Sequence, residues 1–326
     1  MNLSRRFSGL NRYQKTAVIT VFFTFLLIFI GGLVRASGAG LGCPDWPRCF
    51  GQWIPPLSAS DLPAGYNPEE FSVFKTWMEY VNRLVGVLIG FLITLTFFFS
   101  FAYFSKKPVV FYSSVIAFIL VLFQGWLGGQ VVQSGLSEWL ITIHMLVALL
   151  IVNVLMYASF KAMSDRFKLE LPPKANNKLL LIAGLLLFST LFQVAIGTQV
   201  REAIDAVKHA NPLLERALWI YEIGWIDQLH RTFSWIVLIL SATLIYYHQK
   251  TGITNLPYNL SLAIVVLVIS QFVIGIVLAY LGMPPVFQVL HLLGASLLVG
   301  VEFLYILVVN ESKKVPNQEY QNALNE

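Results

Sequence analysis

The sequence predicts an all-α integral membrane fold: eight transmembrane helices arranged as two parallel-repeat four-helix bundles. Three observations carry that expectation: the composition, the number of apolar runs of spanning length, and an internal repeat of polar marks. Of 326 residues, 57% are hydrophobic and 12% charged, and the mean hydropathy is +0.70, outside the range of a soluble domain. Crossing the hydrocarbon as a helix takes about 20 mainly apolar residues. Eight stretches qualify, at 16–36, 80–104, 107–129, 138–160, 178–200, 228–248, 257–281 and 286–309.

The first run follows a basic, polar N-terminus, is of full spanning length and lacks a small-residue cleavage site, so it reads as a retained helix and not a signal peptide. Two long loops follow the first and fifth runs, at 37–77 and 201–227. The second run opens with MEYVNRLVG, in which Glu79, Asn82 and Arg83 share one helical face. Two readings stand for Glu79: an ion pair with Arg83 closing the helix end, or an acid placed for chemistry.

Basic residues orient the chain. Arg5, Arg6, Arg12, Lys15, Lys106, Lys107, Lys161, Arg166, Lys168, Lys174, Lys178, Lys250, Lys313 and Lys314 fall on one set of loops, 14 of the 22 Lys and Arg residues. Both termini are therefore expected in the cytoplasm and both long loops outside. The pI of about 9.1 then reflects anionic lipid at the inner face and not nucleic acid.

The outer loop 37–77 holds the only two cysteines, Cys43 and Cys49, with five residues between them. On an exported face an isolated pair reads as a disulfide, acting as a loop staple or in redox or substrate handling. A zinc site wants about four ligands, and no histidine is near in sequence. The chain has no C-x-x-C-H, so covalent haem attachment is not indicated.

The polar marks recur in order across residues 1–170 and 171–326. Gly31-Gly32-Leu33-Val34-Arg35 answers Gly197-Thr198-Gln199-Val200-Arg201, Asn82-Arg83 answers His230-Arg231, and His144 answers His291. Asp227 stands where Glu79 would fall. Asn82 to His144 is 62 residues and His230 to His291 is 61. An even number of helices per unit gives both the same orientation, hence a parallel repeat. Gln124-x-x-x-Gly128 answers Gln271-x-x-x-Gly275 and recurs at Gln193 to Gly197, a spacing that reads as helix packing through a small residue.

His144, His230 and His291 lie near the starts of even-numbered helices, at matching depth. Ionisable groups inside a membrane are costly and mark function or an interhelical bond. Two histidines on facing helices of a bundle can hold a haem iron, which neutral imidazole suits. His209 in the outer loop and His248 at the cytoplasmic helix end are assigned to solvent or headgroups. Arg35, Arg83, Arg201 and Arg231 near outer helix ends suit haem propionates, since guanidinium binds carboxylate at two points; headgroup contact or helix-end pairing is the competing reading.

GGLVRASGAGLGCPDWPRCFG, MEYVNRLVG, TIHMLVALL, DQLHRTFSW and VLHLLGASLL, in that order from Gly31 to Val309, resemble the haem A synthase family of cytochrome oxidase biogenesis. The resemblance implies a duplicated eight-helix bundle in the bacterial inner membrane that oxidises a methyl substituent of haem O to the formyl of haem A. It implies a haem b cofactor held axially by His230 and His291, a substrate haem on His144, Glu79 as the essential acid, and Cys43 with Cys49 as the external disulfide. Its small-molecule partners would be haem O and haem A; haem O synthase, cytochrome oxidase subunit I and an unidentified electron acceptor are the candidate further partners. The chain departs from the family pattern at Asn82, where the usual residue is His. Two other classes compete: a di-haem cytochrome b electron carrier, which predicts matched ligands in both halves, and a parallel-repeat transporter, whose polar residues would line a pathway.

Overall fold

The computed structural model describes residues 9–166, 170–171, 173–251 and 256–314. Arg5, Arg6 and Lys168, which enter the loop count, lie outside the described residues. Eight described helices are long and apolar enough to cross a membrane: α1 (Arg12–Ala36), α2 (Val73–Ser100), α3 (Pro108–Gln133), α4 (Glu138–Met163), α5 (Pro173–Ala210), α6 (Trp225–Gln249), α7 (Leu256–Tyr280) and α8 (Pro285–Glu311).

Local chemistry sets the helix starts. Asn11 and Gln14 form a reciprocal capping box at α1, with Gln14 N–H donating to Asn11 Oδ1 at 2.9 Å and Asn11 N–H to Gln14 Oε1 at 3.1 Å. Pro108 and Pro285 open α3 and α8, where the missing N–H costs nothing. Two elements outrun their apolar stretches. α2 starts seven residues before the expected Tyr80, because Ser72 caps it and its first turns anchor the preceding loop. α5 runs on to Ala210, so the expected loop at 201–227 begins as helix. An Arg201–Asp205 pair four residues apart supports that extension at 2.9 Å. Ile204, with 1% of its surface exposed, packs there with Ile220, Ile223 and Met283.

Backbone contacts divide the chain into two units, Met1–Ser159 with Gln288–Leu293, and Phe160–Phe287 with Gly294–Glu326. In the first, α2 packs against α1 and α3, and Ile89, Ile93, Ala117, Ile151 and Leu155 form the core. Thr20 and Thr96 join α1 to α2 by hydroxyl contact at 3.1 Å, the kind of polar contact that holds helices together where lipid removes the hydrophobic drive. In the second, α6 packs against α5 and α7, with Leu179, Leu186, Leu244, Ile264 and Tyr305 in the core. A two-residue parallel ladder pairs Glu170–Leu171 with Lys313–Lys314. Large side chains such as Phe22, Phe91, Phe188 and Ile239 stay outside the cores, a surface that hydrocarbon solvates and water would not.

Candidate functional site

In the first unit the loop after α1 folds onto α2. Cys43 and Cys49 form a disulfide, and Phe50, Tyr66, Phe71 and Tyr80 pack around it. Gly42 permits the approach: a Cβ there would stand 2.3 Å from the Lys75 carbonyl oxygen. The Thr76 hydroxyl donates to the Gly42 carbonyl at 2.8 Å. One turn on, Glu79 Oε2 accepts the Cys43 backbone N–H at 2.8 Å.

Glu79 Oε1 accepts from Arg83 Nε at 3.1 Å and from a second nitrogen of the same guanidinium. Arg83 also donates to the carbonyls of Asp45 and Arg48, both at 2.8 Å, and of Cys43 at 3.3 Å. The Glu79–Arg83 pair is therefore an ion pair and a clamp on the disulfide loop together. The carboxylate is almost sealed, with 3% of the residue exposed.

Asn82 sits one turn beyond Glu79. Its Oδ1 is buried without a hydrogen-bond partner, and a Cβ on Gly31 of α1 would lie 3.9 Å from it. His144 on α4 occupies a defined seat. Gln124 of α3 donates its amide to the His144 carbonyl at 2.9 Å. Gly128, one turn further, clears the ring, since a Cβ there would meet His144 Cε1 at 3.3 Å. His144 Nδ1 is buried and unpartnered. Arg35, half-buried, ends α1.

The second unit repeats the seat. Gln193 of α5 donates to the His230 carbonyl at 2.9 Å and stands 3.5 Å from His230 Nε2. A Cβ on Gly197 would meet His230 Cε1 at 3.1 Å. The recurrent Q-x-x-x-G thus does more than pack helices, contrary to the reading from spacing. Glutamine fixes the histidine's backbone and glycine leaves room for its ring. At Asn82 the glycine is present as Gly31, while Leu27 stands where the glutamine would be. In the third copy Gln271 lies against Gly294, where a Cβ would come within 2.0 Å of its amide nitrogen. His291 lies in Gln288–Leu293, the stretch grouped with the first unit.

Three arginines are paired along their own helices. Arg83 meets Glu79, Arg201 meets Asp205, and Arg231 meets Asp227 at 2.7 Å, so Asp227 keeps the Glu79-like pairing. Arg231 also lies over the Tyr280 ring, 5.6 Å from its centroid. Arg216, in the loop after α5, was missed from sequence. Burial first, and then the neighbouring Arg201 guanidinium, pull its pKa below the ordinary value, which places a second cation beside Arg201.

His209 is exposed, its Nδ1 2.7 Å from the Asp205 carbonyl. His248 corrects its assignment to solvent or headgroups. It is fully buried, because the last turn of α6 packs against Tyr305, whose hydroxyl lies 3.1 Å from His248 Nδ1. Glu302 was also missed. It is 1% exposed and takes a 2.8 Å hydrogen bond from the Thr190 hydroxyl. As the one carboxylate between Pro285 and Asn310 of an otherwise apolar run, it was visible to the rule that intramembrane charges mark function.

Among the described residues no cluster of three or more His, Cys, Asp or Glu side chains could hold a bare metal ion. Iron would suit these histidines inside a macrocycle that brings its own four nitrogens. The residues fit such a group: the His144 and His230 imidazoles are flanked by side-chain-free glycine, and a buried His144 Nδ1 is still unpartnered.

Residues 14–303 match the model of a family described as cytochrome oxidase assembly protein. Similar curated proteins named heme A synthase come from Sinorhizobium fredii, 26% identical over 86% of this chain and 85% of that protein, from Flavobacterium johnsoniae, 26% identical over 85% and 91%, and from Shewanella oneidensis, 26% identical over 86% and 91%.

Proposed function

The chain belongs to the cytochrome oxidase assembly protein family, and from that premise we propose that it is a haem A synthase, an oxidoreductase that converts the methyl substituent of haem O to the formyl group of haem A. The di-haem carrier is disfavoured by the asymmetry at Asn82, because a carrier has no need of two unlike halves. The observation that carries the reading is the duplicated seat: Gln124, Gly128 and His144 in one unit, Gln193, Gly197 and His230 in the other, with an amide in place of a fourth imidazole only at Asn82.

In this reading the two halves of the duplication divide the work. His230 and His291 would hold a resident haem b, which would supply one-electron redox chemistry. His144 holds the substrate haem, and Asn82 faces it without binding iron firmly, since an amide is a far weaker donor than imidazole. Glu79 contributes a negative charge opposite positive charge developing at the methyl carbon, and its Oε2, which accepts the Cys43 backbone N–H, is the oxygen able to take a proton. Arg83 orients that carboxylate. Arg35 in the first unit, and Arg201 and Arg231, joined by Arg216, in the second, are the cations offered to propionates. Both termini lie in the cytoplasm and the disulfide loop faces outside, as the basic-residue count supports.

Haem extraction from membranes that express the chain beside a haem O source tests the reading. Haem A recovered together with haem b supports it. Haem b alone points to the electron carrier, and no haem at all points to the transporter.

A further inference from the structure

The loop that carries the disulfide presents an apolar tip that the proposed reaction does not use. Trp53, Ile54 and Leu57 are 66%, 67% and 69% exposed, while Pro55 and Pro56 between them are buried. No charged residue stands between Arg48 and Asp61. Large apolar side chains held outward together on one loop mark a surface that meets something other than water.

The tip is tied to one face of α2. The Tyr80 hydroxyl donates to the Trp53 carbonyl at 2.7 Å, and Trp77 Nε1 donates to the Pro56 carbonyl at 3.2 Å. Trp77 and Tyr80 head a stripe that continues at helical spacing through Leu84, Leu88 and Phe91, all three exposed. These are large side chains, and Gly86 and Gly90 lie off the stripe, whereas helices meet one another in lipid through small residues. Hydrocarbon, and not another helix, therefore suits this face. Tyr80 opens the apolar run of α2, so a tip seated on Trp77 and Tyr80 stands at headgroup depth, where Trp and Tyr concentrate.

The loop backbone is also suited to leaving water, since lipid penalises N–H and C=O groups that lack partners. Cys49 and Gln52 exchange both backbone hydrogen bonds, and the Phe50 and Gly51 N–H groups donate to the Asp45 carboxylate. Pro55 and Pro56 have no N–H to satisfy, and α2 holds the carbonyls of Trp53 and Pro56. Arg48 lies over the Trp53 ring, 5.5 Å from its centroid, a cation at the rim of the tip where phosphate headgroups would meet it. Past the tip the chain turns polar again, and the Ser58 hydroxyl donates to Asp61 at 2.7 Å.

We propose that Trp53, Ile54 and Leu57 insert into the boundary between headgroups and acyl chains of the leaflet at which α2 begins, which makes the disulfide loop a membrane-surface anchor. The partner is phospholipid. Lipid then holds the loop from its tip, while Glu79 and Arg83 hold it from the protein side at Cys43, Asp45 and Arg48. Nothing in the inference depends on the haem reading.

The test is spin-label depth measurement on the full chain in vesicles of phosphatidylcholine and phosphatidylglycerol. Nitroxides are placed on Ile54→Cys and Leu57→Cys, with Glu69→Cys, at an exposed acidic position of the same loop, as the aqueous reference. Cys43 and Cys49 stay in their disulfide. The anchor predicts that oxygen collides with the labels at 54 and 57 severalfold more than a water-soluble nickel chelate does, and that the ratio reverses at 69. Should one tip variant fail to fold, the other decides. Labels at 54 and 57 that meet the chelate as readily as the label at 69 put the tip in water and overturn the anchor. Labels shielded from both oxygen and chelate mean that a second copy or another protein covers the tip, which overturns it equally.

Discussion

Replacing Glu79 by alanine should release the disulfide loop from α2. The carboxylate accepts the Cys43 N–H at 2.8 Å and two nitrogens of Arg83, and the two side chains are only 5% and 15% exposed. Breaking a buried pair by removing one partner costs about 3–5 kcal/mol, because it leaves the other charge uncompensated. Arg83 keeps three backbone carbonyls and lies near the edge of the unit, so the lower end, about 3 kcal/mol, is expected. The lost Cys43 acceptor draws on the same carboxylate and does not add in full. At about 1.4 kcal/mol per decade, the undocked fraction of the loop should rise roughly a hundredfold. Cys43 and Cys49 are 0% and 1% exposed, so a membrane-impermeant phosphine reaches their disulfide only when the loop undocks. Its reduction rate should rise by about two decades in Glu79→Ala. Glu79→Gln retains a neutral acceptor for Cys43 and should lie between the variant and the wild type. Reduction at the wild-type rate in Glu79→Ala would refute the clamp and leave Glu79 free for chemistry alone.

Gly197→Val should push the His230 ring from its seat, since even a first Cβ would meet Cε1 at 3.1 Å. Overpacking of about 1–3 kcal/mol should appear as a weakened low-spin haem signal, and an unchanged spectrum would count against the seat. Asn82→His should convert a largely high-spin haem in the first unit to a low-spin one. Gly31 leaves room for the larger ring, and an unaltered spectrum would mean that another residue already supplies the ligand. Cys43 and Cys49 should resist alkylation in native membranes until reductant is added, and ready labelling of untreated membranes would contradict the disulfide.

The eight spans were legible because lipid enforces one rule on length and apolarity, and each expected run finds its helix. Ends were less legible. The start of α2 and the end of α5 are polar yet helical, held by a serine cap and by an Arg201–Asp205 pair that hydropathy does not register. The coupling of Glu79 to the disulfide loop was hidden, because residues 36 apart meet only through a glycine approach that no local pattern announces. The glutamine–glycine motif was seen, but its meaning required the opposite helix, where the histidine sits. His248 was misjudged since a polar residue at a helix end ordinarily reaches headgroups; here Tyr305 from another helix covers it.

The most direct measurement of the central claim is a single-protein conversion: the purified chain, loaded with haem O and given an electron acceptor, with the bound haem then extracted and weighed by mass spectrometry. The account predicts the mass change of one methyl turned to formyl in the wild type, abolished in His144→Ala, whose resident low-spin haem in the second unit is retained. Haem O recovered unchanged from wild-type protein that holds both haems, under acceptors spanning quinones and one-electron oxidants, would contradict it.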